Sequence, residues 1–234
     1  MNIYSILSRD PLVLPAMLQA DYWIERDPQA HQPLNVDHPA YNASVYARLG
    51  IPPIVEVPNT YSRQEVLALM EAAAPQGEHY LLADGTPLHP RQHPAWLNAI
   101  AAIPPQLTVQ FGLATAWTPV RSLPTWEVLM NEALDFPTDY LQETSIDVGW
   151  PVAILASVAG WHFGLTPLYW GWWPVDSIAL TTREALRAWQ ARPTVTALSS
   201  RALIGVAGLG GATPQLGTSL PLMEEDADSY HIAI

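Results

Sequence analysis

The densest group of residues able to recognise a ligand is an aromatic run: Trp161, Tyr169, Trp170, Trp172 and Trp173. In extended chain, alternation puts Tyr169, Gly171 and Trp173 on one face and Trp170 and Trp172 on the other. One set fills the interior of a small β structure. The other lines a shallow groove that takes peptide or sugar, or is buried beneath an N-terminal arm, where Trp23 needs a surface to pack on. Upstream, Tyr140 and Glu143 supply polar chemistry. A carboxylate beside aromatic rings can meet the free ammonium of a peptide, and a phenol hydroxyl can share it. The alternative is that Glu143 is a solvated residue ahead of a strand. The candidate substrate-binding residues are therefore Tyr140, Glu143, Tyr169, Trp170 and Trp172.

Other chemistries find little support. The chain has no cysteine, which removes disulfides, thiolate zinc sites and a cysteine nucleophile together. It has no G-x-S-x-G elbow for a serine hydrolase, and Ser199-Ser200 ahead of Gly205 do not replace one. His89 and His93 have the i, i+4 spacing of a helical metal site. Pro90 between them and Pro94 after them interrupt such a face, so loop histidines are the reading adopted. Gly205, Gly208, Gly210 and Gly211 fit neither phosphate-binding fingerprint, and read as a flexible connector. Glu224, Glu225, Asp226 and Asp228 are either a solvated turn or oxygen ligands for a hard cation such as calcium. The expectation is no metal, no cofactor and no catalytic residue on this chain.

Composition narrows the partners. A net charge of −12 in 234 residues repels phosphate backbones, so nucleic acid is not expected. Hydrophobic residues at 49% suffice for a packed core, and 23 prolines favour short elements over long helices. Pro151–Val175 contains no Asp, Glu, Lys or Arg, and is long enough to cross a bilayer. Its prolines and glycines break it into short pieces, so it reads as buried strands and no membrane span is expected. Met1–Asp10 lacks a basic segment followed by an apolar one, so no secretory signal is visible.

The elements that must position these residues follow from local signals. Residues 1–60 are punctuated by proline and read as an extended arm, with one short helix near Pro39–Leu49. Ser62-Arg63-Gln64-Glu65 is a capping box that opens a helix over Ser62–Ala74. A second helix is expected over Pro94–Ala102. From Leu107 the texture becomes β: strands around Thr108–Leu113, Val152–Val158, Trp161–Thr166, Tyr169–Val175 and Ile178–Leu180, with Gly160 as a turn. A brief helix, capped by Thr182, spans Thr181–Trp189. The β pattern restarts at Leu216 and runs to Ile234, too short a stretch for a second barrel to close.

Several of these stretches resemble one family. Asp21-Tyr22-Trp23-Ile24-Glu25-Arg26, followed by Tyr41-Asn42, resembles the clip segment that opens the stabilising region of certain bacterial NlpC-type murein endopeptidases. Arg121-Ser122-Leu123-Pro124-Thr125 is similar to the R-x-x-P-T run before their first bacterial SH3 (SH3b) domain. The signature of that domain is matched by Asp139-Tyr140-Leu141-Gln142-Glu143-Thr144, Gly149-Trp150-Pro151-Val152, Gly160-Trp161 and Tyr169-Trp170-Gly171-Trp172. Leu216–Leu222 is similar to the opening of a second SH3 domain. The resemblance implies cleavage between γ-D-glutamate and a diamino acid in murein (peptidoglycan) peptides, by a papain-like domain whose cysteine is absent here. It also implies SH3 domains beside the cleft that restrict it to peptides with a free N-terminal L-alanine, and a cell-envelope or periplasmic setting.

The expected fold class is α+β: a small SH3-like β-barrel, an α-helical and irregular N-terminal region wrapped on it, and the start of a second SH3-like barrel. The expected parts are 1–106, the clip or stabilising region; 107–190, the SH3-like barrel; and 191–234, a connector with the incomplete second barrel. The expected function is a non-catalytic, substrate-restricting and structural region of a cell-wall peptidase. It would bind murein peptides and act with a papain-like catalytic domain in cis or in trans. The alternative is a free-standing SH3-like module that binds wall peptides or a protein partner.

Overall fold

The computed structural model describes residues 15–27, 29, 37–77, 80–130, 138–199, 203–206, 210–225 and 229–232. The chain divides into two compact units, Met1–Val45 and Tyr46–Ile234. In the first, a 3-10 turn at Pro15–Leu18 precedes α1 (Ala20–Ile24). The Trp23 indole donates to the Met17 carbonyl at 2.8 Å, and the Arg26 guanidinium lies 3.5 Å from the centre of the Tyr22 ring. Trp23 itself is 56% exposed. Helix α2 (His38–Leu49) starts in this unit and runs into the next.

In the second unit, the local signals are realised closely. Helix α3 (Arg63–Ala73) opens on the expected capping box: the Ser62 hydroxyl accepts from the Glu65 N–H, and the Glu65 carboxylate accepts from the Ser62 N–H at 2.7 Å. The Ser62 N–H and the Ser62 hydroxyl, both donating to it, hold the Glu65 carboxyl below its ordinary pKa. Helix α4 (Pro94–Ala102) starts with proline, whose missing N–H costs nothing in the first turn. Helix α5 (Arg183–Gln190) is capped by Thr182, as expected.

Among the described residues, four small β arrangements accompany the central one. Strand β1 (Thr60–Ser62) pairs with β3 (Gln106–Thr108), and β2 (Leu81–Leu82) with β6 (Leu129–Met130). The central sheet is antiparallel and seven-stranded. It contains β4 (Gln110–Ala114), β5 (Thr118–Arg121), β7 (Gln142–Ile146), β8 (Pro151–Val158), β9 (Trp161–Leu165), β10 (Trp170–Pro174) and β11 (Ile178–Thr181), in the order β11-β4-β8-β9-β10-β5-β7. Ala159 and Gly160, both at positive φ, make the tight turn between β8 and β9.

The sheet corrects the expected barrel. Ile146 on one edge and Ile178 on the other belong to one small core with Val120, Val152, Ile154 and Trp173. The sheet therefore curls over a shared interior, but the ladder does not close among the described residues. The loop after β7 bonds to the end of β4 instead: Gly149 N–H donates to Ala114 O at 2.7 Å, and Ala114 N–H to Trp150 O at 2.9 Å. Gly164 lies on the inner face, where a Cβ would sit 1.9 Å from the Ala153 carbonyl oxygen, so a side chain there is excluded.

The outer face is also buried. Phe111, Leu155, Phe163, Leu165 and Trp172 pack with Val66 and Met70 of α3, Trp96 and Ala99 of α4, and Leu186 of α5. Apolar residues on both faces explain the charge-free stretch Pro151–Val175. Among the described residues, no helix is long and apolar enough to cross a membrane.

Beyond α5, β12 (Thr194–Thr196), β15 (Ser219–Glu225) and β16 (Tyr230–Ile232) form a three-stranded sheet, and β13 (Ile204–Val206) pairs with β14 (Gly210–Ala212). This is where the start of a second barrel is expected. A seam joins it to the central sheet. The buried Asp147 carboxylate accepts from the Gln215 N–H at 2.6 Å and from the Thr218 hydroxyl. Leu220 fills the space over Gly149, where a Cβ would lie 2.2 Å from it.

Candidate functional site

One groove of about 680 Å³ brings most of the candidate residues together. Tyr140, Glu143, Tyr169 and Trp170 line it, with Leu168, Gln142 and Asp139 beside them. The opposite wall is the C-terminal end of α3, Ala72–Ala74, continued by Pro75, Gln76 and Tyr80. Leu49 and Ile51 complete the lining. Among the described residues, no lysine, arginine or histidine lines it.

The sheet-side wall is fixed by two local devices. The first is an ion pair between Arg121 of β5 and Asp139, at 2.9 Å. Arg121 is buried and also donates to the Glu127 carbonyl at 2.7 Å. The second oxygen of Asp139 accepts from the N–H groups of Leu129 at 3.2 Å and Leu141 at 2.9 Å. The residues on either side of Tyr140 are thus anchored, and the Tyr140 N–H donates to the Leu129 carbonyl at 2.8 Å. Its ring, 37% exposed, meets Tyr80 at 5.6 Å between centres.

The second device is Thr166 in the turn between β9 and β10. Its fully buried hydroxyl accepts from the N–H groups of Leu168 and Tyr169 and donates to the Tyr169 carbonyl at 3.0 Å. The turn is held so that Tyr169, 46% exposed, presents its ring. Trp170 follows, stacked on Phe163 at 6.4 Å.

Glu143 is a strand residue in β7 rather than a residue ahead of a strand. Partial desolvation raises its carboxyl above the ordinary pKa, and a hydrogen bond from the Ser122 hydroxyl opposes that rise. The remaining exposure leaves it open to a ligand. An anionic group with aromatic neighbours, and no cation among the described residues of the lining, favours a ligand that carries positive charge.

Trp172 departs from the candidate set. It does share a face with Trp170, as alternation requires, but α3 and α4 cover that face and Trp172 is fully buried. Trp173, on the inner face, is fully buried too. Trp170 escapes because it begins the strand at the margin of the cover.

The other sequence candidates have structural employment. His89 and His93 each cap a helical turn, their Nδ1 atoms accepting from the N–H groups of Arg91 and Ala95. The His93 Nε2 lies 2.6 Å from the Glu127 carboxylate. Gly205, Gly210 and Gly211 lie in the β13–β14 pair, whereas Gly208 and Ser200 lie outside the described residues. Glu224 and Glu225 are exposed on β15, and Asp226 and Asp228 lie outside the described residues. Among the described residues, no three His, Asp or Glu side chains gather as metal ligands.

Two groove residues escaped the sequence: Gln76 and Tyr80. Pro75 and Gly77 announce a helix end, but nothing local says that the following chain returns to the sheet. The Gly77 N–H donating to the Tyr80 hydroxyl at 3.1 Å is part of how it does so.

No family model matches the sequence, and no curated protein matches it. The fold is similar to a solved structure, a novel NlpC/P60 endopeptidase from Photobacterium damselae subsp. piscicida. The TM-score is 0.53 at 18% sequence identity, over 76% of this chain and 43% of that one. The likeness is one of fold, and this chain spans less than half the length of that structure.

Proposed function

We propose that this chain is a non-catalytic, substrate-restricting region of a cell-wall peptidase, and that its groove holds the free ammonium end of a murein peptide. The observation that carries the reading is the groove itself. Tyr140, Glu143, Tyr169 and Trp170 meet there from separate parts of the chain, with no cation among the described residues of the lining. Aromatic walls take the apolar part of the ligand, and Glu143 offsets the ammonium charge. The fold likeness to an NlpC/P60 endopeptidase supports the murein setting. The chain has no cysteine, so hydrolysis would rest on a papain-like domain that works with it in cis or in trans.

The alternative, a free-standing SH3-like module for wall peptides or a protein partner, has one observation in its favour. Every described residue lining the groove belongs to one compact unit, Tyr46–Ile234. Isothermal titration with L-Ala-γ-D-Glu-diaminopimelate tests the groove. Binding at micromolar to low millimolar Kd, lost in Glu143→Gln, is expected. Unchanged binding in that variant removes Glu143 from the site, and no heat from the wild type removes recognition from this chain alone.

A further inference from the structure

We infer that Gln76 is a specificity-determining residue of this groove, accepting a hydrogen bond from the ligand's ammonium; the inference rests on the groove being a peptide-ammonium site. Helix α3 ends at Ala73 without a basic residue in its last turn. Gln76 supplies the missing donors: its Nε2 donates to the Glu71 carbonyl at 3.2 Å and to the Ala74 carbonyl at 2.7 Å. Both partners are carbonyl oxygens, which only accept, so the side-chain amide has one workable orientation. With Nε2 committed to the helix end, Oε1 is the polar atom that this groove-lining side chain has left to offer.

The chemistry of the ligand calls for such an atom. A primary ammonium carries three N–H donors, and each must be satisfied when water is displaced. Glu143, the lining carboxylate not held in an ion pair as Asp139 is by Arg121, neutralises the charge but serves a limited number of those donors. An acceptor held rigidly by its own amide nitrogen is oriented before the ligand arrives, which lowers the ordering cost on binding. Gln76 therefore distinguishes an ammonium with hydrogens from one without, where Glu143 responds to charge.

The test compares L-Ala-γ-D-Glu-diaminopimelate with its analogue trimethylated on the alanine nitrogen. Both carry the same charge at that nitrogen, and only the first donates there. Wild type is expected to prefer the first by roughly tenfold or more, the scale of one charge-assisted hydrogen bond. In Gln76→Lys, the ammonium can still donate to the Glu71 and Ala74 carbonyls, so the helix end is kept while the acceptor is lost. Its added charge acts on both ligands alike and cancels in the ratio. The preference is expected to fall several-fold or more, toward parity. Gln76→Met, which keeps length but no polar atom, provides a second reading should the lysine variant fold poorly. A wild type that binds both peptides, with the preference unchanged in the variants, overturns the role of Gln76 alone. A wild type that binds neither overturns the groove reading with it.

Discussion

Truncating Trp172 probes whether the outer face of the sheet is a packed core or a ligand surface. The indole is fully buried and packs on Phe163 at 5.0 Å between ring centres. Replacing a buried tryptophan with alanine typically costs about 3–5 kcal/mol in lost transfer energy and cavity. One feature lowers the expectation here: the Trp172 Nε1 is buried and finds no hydrogen-bond partner. Its removal forfeits no bond and relieves a desolvation cost on the order of 1–3 kcal/mol. Trp172→Ala is therefore placed near the bottom of the range, at about 3 kcal/mol, or roughly 6–12 °C in Tm for a unit of this size. Trp172→Phe keeps an aromatic ring against Phe163 and deletes the orphaned N–H, so its cost should stay below about 1.5 kcal/mol. Urea denaturation, followed by midpoint and slope, measures both. A loss under about 1 kcal/mol for Trp172→Ala would refute the core assignment. A phenylalanine variant as costly as the alanine one would show that the indole N–H has a partner.

Two further perturbations test the groove and its support. Glu143 has a folded-state pKa above its ordinary value, so the folded protein binds the proton more tightly than the unfolded chain. Its contribution to stability then falls as pH rises from the ordinary carboxylate range through the raised value. Ammonium binding needs the ionised form and should strengthen over the same window, so titration and melting should trend oppositely with pH, and Glu143→Gln should flatten both. Arg121→Met leaves the Asp139 carboxylate without its ion-pair partner. A loss of about 3–5 kcal/mol is expected by denaturation, with weaker peptide binding because Tyr140 loses its anchor; a loss below about 1 kcal/mol would dismiss the clamp.

What the sequence disclosed and what it concealed divide along the range of the interactions. Ser62 and Glu65, Pro94, Thr182 and Gly160 act within a few residues, so the helices and the β8–β9 turn could be read directly. Strands β5 and β7 could not. Pro119 lacks a ladder donor, and Gln142-Glu143-Thr144-Ser145 has no apolar alternation, so neither advertises a strand. Their pairing, Pro119 with Ser145 and Val120 with Thr144, is a tertiary fact. The same holds for Trp172: alternation placed it beside Trp170, but its burial is decided by Val66 and Met70 a hundred positions earlier in a helix whose docking no local signal gives. Tyr140, Glu143, Tyr169 and Trp170, chosen from the sequence as chemically conspicuous, line one groove. Gln76 and Tyr80 are ordinary residues made important by where the chain returns.

Both sheet faces are covered, and the proposed groove lies at the rim, at Asp139–Glu143 and in the Thr166–Tyr169 turn. Tyr169 and Leu168 sit in a turn whose shape is set by the Thr166 hydroxyl and main-chain groups, so their side chains are free of folding duty. A library randomised at 168 and 169 with Thr166 kept should return mostly folded members with altered ligand choice. The same diversity placed at 172 or 173 would be lost to misfolding before selection for binding began. If the proposed groove binds peptide, the scaffold is an adaptable receptor, with a rewritable margin around a fixed centre.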